Sequence, residues 1–150
     1  MSNTIFFIGG CFIVAILTVW GMFFIDKWVR VIVKLAITPW QNVKTYHPNT
    51  KDDFEGVYIW QEKKGFFWRN VYVGQSVKVH RRFKQHISGK GNPDIYRVYC
   101  KDPAKLRYKA ISMQSVHYHN LDALERRLIH RYNTYRHGYN KTNGNGHVNY

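Results

Sequence analysis

Cysteine is scarce in this 150-residue chain, and the two it has stand far apart, Cys11 inside an apolar run and Cys100 in a polar stretch. That spacing offers no disulfide framework and no cysteine-based zinc site, and it suits a reducing compartment. Acidic side chains are also few. Nine Asp and Glu, only three of them Glu, face 23 Lys and Arg, a formal net charge of +14. Such an excess points to an anionic partner, nucleic acid or anionic lipid. Internal repeats are absent, and the length leaves room for one domain plus an appendage.

Charge and proline are both missing from Ile5 to Ile25, 21 consecutive residues. As a helix this run extends roughly 31 Å, the thickness of a bilayer's hydrocarbon core. A buried amphipathic helix would show a polar face, and none is present. A cleaved signal peptide would carry a basic leader and a shorter apolar stretch, whereas the leader is only residues 1–4. The expectation is therefore a retained, single-pass transmembrane helix over residues 5–25. Lys27, Arg30, Lys34 and Lys44 follow it and no basic side chain precedes it. By the positive-inside rule this places the N-terminus outside and the rest in the cytoplasm, an inner-membrane topology if the host is bacterial. Trp20, Trp28 and Trp40 fit an interfacial aromatic role. The Val/Ile-rich stretch from Trp28 to Ile37 extends the helix until Pro39 stops it. Residues 26–53 thus read as a juxtamembrane segment and linker, and 144–150, with the Gly/Asn-rich stretch Asn143 to Gly146, as a tail.

The basic excess belongs to the following domain, since residues 51–150 hold 19 Lys and Arg against 8 Asp and Glu, a difference of +11. Gly56-Val57-Tyr58-Ile59-Trp60 and Val71-Tyr72-Val73-Gly74 are β-branched and aromatic runs, and Lys63-Lys64-Gly65 between them signals a turn, so a hairpin is expected. Alternation places Val57 and Ile59 on one face, Val71 and Val73 likewise, and lets Tyr58 and Tyr72 share the other. Val79, Phe83 and Ile87 recur every four residues and predict a short helix within Val77 to Ile87, with Arg82 and His86 bordering its apolar stripe. A third strand is expected from Tyr108 to Met113 and a longer helix from Leu121 to about Arg136. In that helix Leu121, Leu124, Leu128, Ile129, Tyr132 and Tyr135 form a stripe into which Glu125 falls. An inward carboxylate needs a cation or a metal, because burying it alone costs several kcal/mol or neutralises it. Pairing with Arg82 as a purely structural ion pair and ligation of a metal are both open on pattern alone. Singly, Tyr58 and Tyr72 read as strand aromatics, His86 as an exposed helix histidine and Asn140 as a turn residue. The His117-x-His119 pair lacks a neighbouring cysteine or acidic ligand and reads as a strand end or DNA-facing patch rather than a zinc site.

Taken in order, Gly56-Val57-Tyr58, Tyr72-Val73-Gly74, Arg82 eight residues on, His86 four further, Glu125, and Gly138-Tyr139-Asn140 resemble the GIY-YIG nuclease module. The sequence is similar to the catalytic domains of phage homing endonucleases, over residues 54–143. Val stands for Ile in both signature triplets, and the separate DNA-reading domain usual in homing enzymes has no counterpart. The resemblance implies an α+β fold, a small α/β sandwich around a three-stranded antiparallel sheet. It implies one divalent ion, Mg²⁺ or another such as Mn²⁺, on Glu125, whose hard oxygen suits such an ion. Arg82 would hold the scissile phosphate, Tyr58 would act as general base or position the attacking water with Tyr72 beside it, His86 would take a proton or hold the phosphate, and Asn140 would orient the site. Lys78, Arg81, Lys84, Arg126 and Arg127 are the expected DNA contacts. The anchor adds the bilayer as a partner, with a membrane protein at a DNA entry site as a further candidate and exclusion of incoming phage or foreign DNA as the role. A different reading is a catalytically silent basic module tethering nucleic acid at the membrane, held by counterion release alone.

Overall fold

The computed structural model describes residues 26–144; the expected leader and apolar run, and the residues after 144, lie outside them. Among the described residues no helix is long and apolar enough to cross a membrane. They open in helix α1, residues 26–37, which ends just before Pro39. Val31 and Leu35, one turn apart, are buried. Lys109 reaches the helix's last turn and donates from Nζ to the Leu35 carbonyl at 2.6 Å, satisfying an acceptor the helix leaves orphaned. The segment expected as a linker thus packs on the domain.

It also contributes a strand. Gln41–Asn42 (β1) pairs with Tyr108 and Arg107, so the sheet has four strands in the order β1-β4-β2-β3, all neighbours antiparallel, rather than the expected three. Two residues are too few to show alternation, which is why this strand is invisible in the pattern. The hairpin forms as expected from β2 (Gly56–Lys64) and β3 (Phe67–Ser76), turning at Gly65, whose φ of 60° is left-handed. β4 spans Leu106–Ser112, two residues earlier than expected at its start.

One register detail overturns an expected face. Trp60 pairs with Tyr72 but Gln61 with Asn70, leaving Val71 as a bulge. Val71 packs with Tyr58 and Trp60, while Val73 packs on the opposite face with Val57 and Ile59. A bulge inserts one unpaired residue, so alternation does not carry through it. Tyr72 nevertheless packs with Tyr58, on the shared face expected for them.

Helices cover both sides of the sheet. α2 (Val79–Ile87) and α3 (Pro93–Lys101) lie over the Tyr58 face, burying Val79, Phe83 and Ile95 with Trp60 and Tyr108. α1 and α5 (Leu121–Tyr132) lie over the Val57 face, where Leu124, Leu128 and Ile129 meet Val31, Ile59 and Ile111. α4 (Met113–Val116) is a single turn ending at His117, and α6 (Thr134–His137) another. The long helix stops short of Arg136 because Asn133 adopts a left-handed φ of 52°. Tyr135, beyond the break, is exposed rather than in the stripe. Helix α3 was not anticipated, although Asn92-Pro93-Asp94 carries its signal: the Asn92 side chain accepts from the backbone N–H groups of Asp94 and Ile95, and Pro93 opens the helix.

Candidate active site at the edge strand

β3 is an edge strand, and its free backbone groups are covered by the chain's own return. The Asn140 amide takes the place of a neighbouring strand: Oδ1 accepts from the Val73 N–H at 2.9 Å and Nδ2 donates to the Val73 carbonyl at 2.8 Å. The Tyr139 N–H donates to the Val71 carbonyl. Asn140 therefore fixes the strand on which Tyr72 and Gly74 sit.

Next to that edge the two phenols converge. The rings of Tyr58 and Tyr72 lie 6.2 Å apart. Gly74 pairs with Tyr58 across the hairpin, and a Cβ there would lie 2.5 Å from the Tyr58 Oη. Only glycine leaves room for the hydroxyl, which supplies a steric reason for the last residue of the second signature triplet.

α2 brings Arg82 and His86. Its first turn has no side-chain cap of its own; instead Asp53 accepts from the N–H groups of His80 at 2.7 Å and Arg81 at 3.0 Å, fixing the helix start against a carboxylate. His86 is fully buried, not at the border of the apolar stripe as expected. The Asn92 N–H donates to its Nδ1 at 2.9 Å, and Nε2 stands 3.1 Å from Tyr58 Oη. An amide N–H can only donate, so Nδ1 is the acceptor and the ring proton sits on Nε2, donating to Tyr58. Burial, aided by the Arg82 charge, pushes the imidazole down to about 3, so it stays neutral at physiological pH. These contacts place His86 behind Tyr58, with Nε2 against the phenol oxygen and Nδ1 engaged by Asn92.

Burial raises the Tyr58 phenol far above its ordinary value; the neighbouring Tyr72 adds to this, Arg82 pulls the other way through a hydrogen bond and its charge, and Glu125 pushes up again. Tyr72 is raised by burial too, with Arg82 lowering and Glu125 raising it. Burial works against the Arg82 cation, but hydrogen bonds and charge from both tyrosines keep its pKa raised, so it is permanently ionised. Guanidinium and carboxylate act on the same two phenols. Glu125 is buried as its place in the stripe required. It opens, with Tyr72 and Asn140, on a cleft of about 180 Å³ whose wall includes Asn92, Tyr139 and Lys141.

The sequence matches the family described as GIY-YIG catalytic domain over residues 54–140. This chain belongs to the GIY-YIG family. It is a GIY-YIG-type endonuclease, and the matched span runs from just before Gly56 to Asn140, taking in every residue of the cluster. No curated protein and no solved structure gives a match.

In this GIY-YIG domain the expected DNA contacts divide. Lys78, Arg81 and Lys84 are exposed on or just before α2. Arg126 lies beside Gly144, near the cleft. Arg127, also exposed, stacks its guanidinium 3.7 Å from the centre of the Trp28 ring on α1, with Arg131 at 5.9 Å. Asn92 is the site residue that sequence reasoning missed. It caps α3, donates to His86, and its Nδ2 donates to the Tyr139 carbonyl at 3.0 Å.

Among the described residues no three His, Cys, Asp or Glu side chains cluster as a closed metal cage. A single buried carboxylate beside an open polar cleft fits an ion that keeps most of its waters, as Mg²⁺ does. The donor set therefore suits the divalent ion that the family implies.

Proposed function

We propose that this chain is a membrane-anchored, metal-dependent endonuclease that hydrolyses DNA phosphodiester bonds at the cytoplasmic face of a membrane, acting on incoming phage or foreign DNA. The observation that carries the hydrolytic part is the convergence of Arg82 and Glu125 on Tyr58 and Tyr72. The anchor rests on the uncharged run from Ile5 to Ile25 and the cations Lys27, Arg30, Lys34 and Lys44 behind it.

In this reading Arg82 binds the scissile phosphate and offsets its growing charge with a planar, permanently charged fork. Tyr58, hydrogen-bonded to His86, Arg82 and Tyr72, stands directly behind the cleft and acts on the attacking water through that cluster. Tyr72 lines that cleft and completes the polar wall. Asn140 and His86 are positioning residues, one for the strand and one for the phenol. Glu125 would hold Mg²⁺ or Mn²⁺, supplying positive charge at the phosphate and cancelling the carboxylate's upward pull on both phenols. Tethering concentrates the enzyme where DNA arrives.

The test is a plaque and transformation assay in cells carrying the full chain, Glu125→Ala, or a form lacking residues 1–25. Protection by the full chain alone supports the proposal. Equal protection by Glu125→Ala would show a tether without chemistry, and equal protection by the truncated form would remove the anchor from the account.

A further inference from the structure

The hairpin joining the two signature strands ends in two phenylalanines that touch almost nothing. Phe66 is 95% and Phe67 79% exposed, at a turn held open by the left-handed Gly65. Monomeric proteins seldom present adjacent aromatic rings to water without using them. Lys63, Lys64 and Arg69 flank the pair, all exposed. Behind them the Arg107 guanidinium lies 3.8 Å from the centre of the Trp68 ring, stiffening the base of the tip.

The tip connects to the candidate active site. A cavity of about 250 Å³ beneath it is lined by Lys64 and by Arg97, Lys101 and Lys105, with Glu62, Asp102 and Tyr139 in the same wall. The Glu62 carboxylate is already engaged, accepting from Lys64 at 2.7 Å and from the Tyr139 hydroxyl. Tyr139 also lines the cleft of Tyr72 and Glu125. The two hollows therefore meet at one residue. Along β3 the five steps from Tyr72 back to Phe67 span roughly 16 Å, a few nucleotides of an extended strand.

Exposed aromatic faces interleaved with cations match the design by which proteins hold unpaired nucleic acid, in which bases stack on rings and phosphates follow the positive groove. We propose that Phe66 and Phe67 form a stacking platform for unpaired bases, so that the substrate is DNA with a single-stranded segment running from the cleft past Tyr139 to the hairpin tip. This rests on the nuclease reading of the cleft and adds the strandedness of the substrate to it.

The experiment uses the full-length chain in detergent micelles, without metal, and follows binding of a short fluorescein-labelled single strand by anisotropy. Replacing both rings, Phe66→Ala with Phe67→Ala, weakens binding about 10-fold or more, on the scale of losing one to two base stacks. The pair Phe66→Trp with Phe67→Trp restores it, while the pair Phe66→Leu with Phe67→Leu does not, because leucine keeps the apolar surface but loses the π face. Unchanged affinity in the alanine pair overturns the proposal. Recovery by leucine overturns it too, and would mark the tip as an apolar seat for lipid or protein. Plasmid cleavage on the same preparations separates the two readings. Cutting by a wild type whose strand binding ignores the tip leaves the nuclease reading standing and removes this one. Strand binding that needs both rings, in a protein that cuts nothing, does the reverse.

Discussion

His86 offers a quantitative test of the site's internal architecture. Its ring is sealed from water between Tyr58, Trp60 and Tyr72, with Nδ1 committed as an acceptor to Asn92. Protonation would require Nδ1 to gain a hydrogen facing another hydrogen, and the charge would stand beside Arg82. In the unfolded chain the imidazole titrates near 6.5, whereas in the fold it is pushed down to about 3. The folded value is the lower one, so the unfolded chain takes up the proton first. Stability is full above pH 6.5 and is lost as pH falls toward 3, at about 1.4 kcal/mol per pH unit. By pH 4.5 the loss is about 2.5 kcal/mol, a large part of the 5–15 kcal/mol typical of a domain. The assay is urea unfolding of wild type and His86→Gln between pH 7 and 4.5, followed by circular dichroism. Glutamine destabilises at pH 7 but cannot titrate, so the gap between the two proteins should narrow steadily below pH 6.5. A gap that stays constant across that range, or an imidazole resonance that titrates near 6.5, refutes a neutral, donating His86.

Gly74→Ala places a methyl 2.5 Å from Tyr58 Oη and 2.6 Å from Cζ, and a buried Tyr58 must shift by about 1 Å, which should cost on the order of 100-fold in cleavage rate; a rate within a few-fold of wild type would show that Tyr58's position is unimportant. Asn140→Ala removes two buried bonds to Val73 and should lower stability by about 2–4 kcal/mol in thermal or urea unfolding. Unchanged stability would mean the edge strand does not need that amide. Arg127→Ala should cost about 0.5–1 kcal/mol of stability through its Trp28 contact and leave the salt dependence of DNA binding unchanged. Lys84→Ala, on the exposed side of α2, should reduce that salt slope by about 1 if it meets a phosphate.

Sequence alone made much of this legible, and the reasons differ residue by residue. Glu125 was readable as buried because a 12-residue helix repeats long enough for its apolar stripe to be unambiguous. Tyr58 and Tyr72 were readable as neighbours from strand alternation, and that face survived the bulge even though Val71 did not follow it. His86 looked like a border residue because α2 is only nine residues long and the helix period does not reveal what lies across it. The two-residue strand at Gln41–Asn42 has no pattern to detect. Packing of α1 on α5 through Trp28 and Arg127 is a tertiary contact without a local signal. Asn92 was legible and overlooked: an Asn-Pro-Asp start is a helix cap by its chemistry, and recognising it would have predicted α3.

In the proposed mechanism hydrolysis depends on Glu125 acting with a divalent ion, in reach of Arg82 and the two phenols. Supercoiled plasmid incubated with the full-length protein and Mg²⁺ or Mn²⁺, beside Glu125→Ala of matched fold, measures this directly. Wild type should nick the plasmid, chelation should stop it, and the variant should lose about 100-fold or more of the rate. Equal nicking by the two proteins would contradict that mechanism.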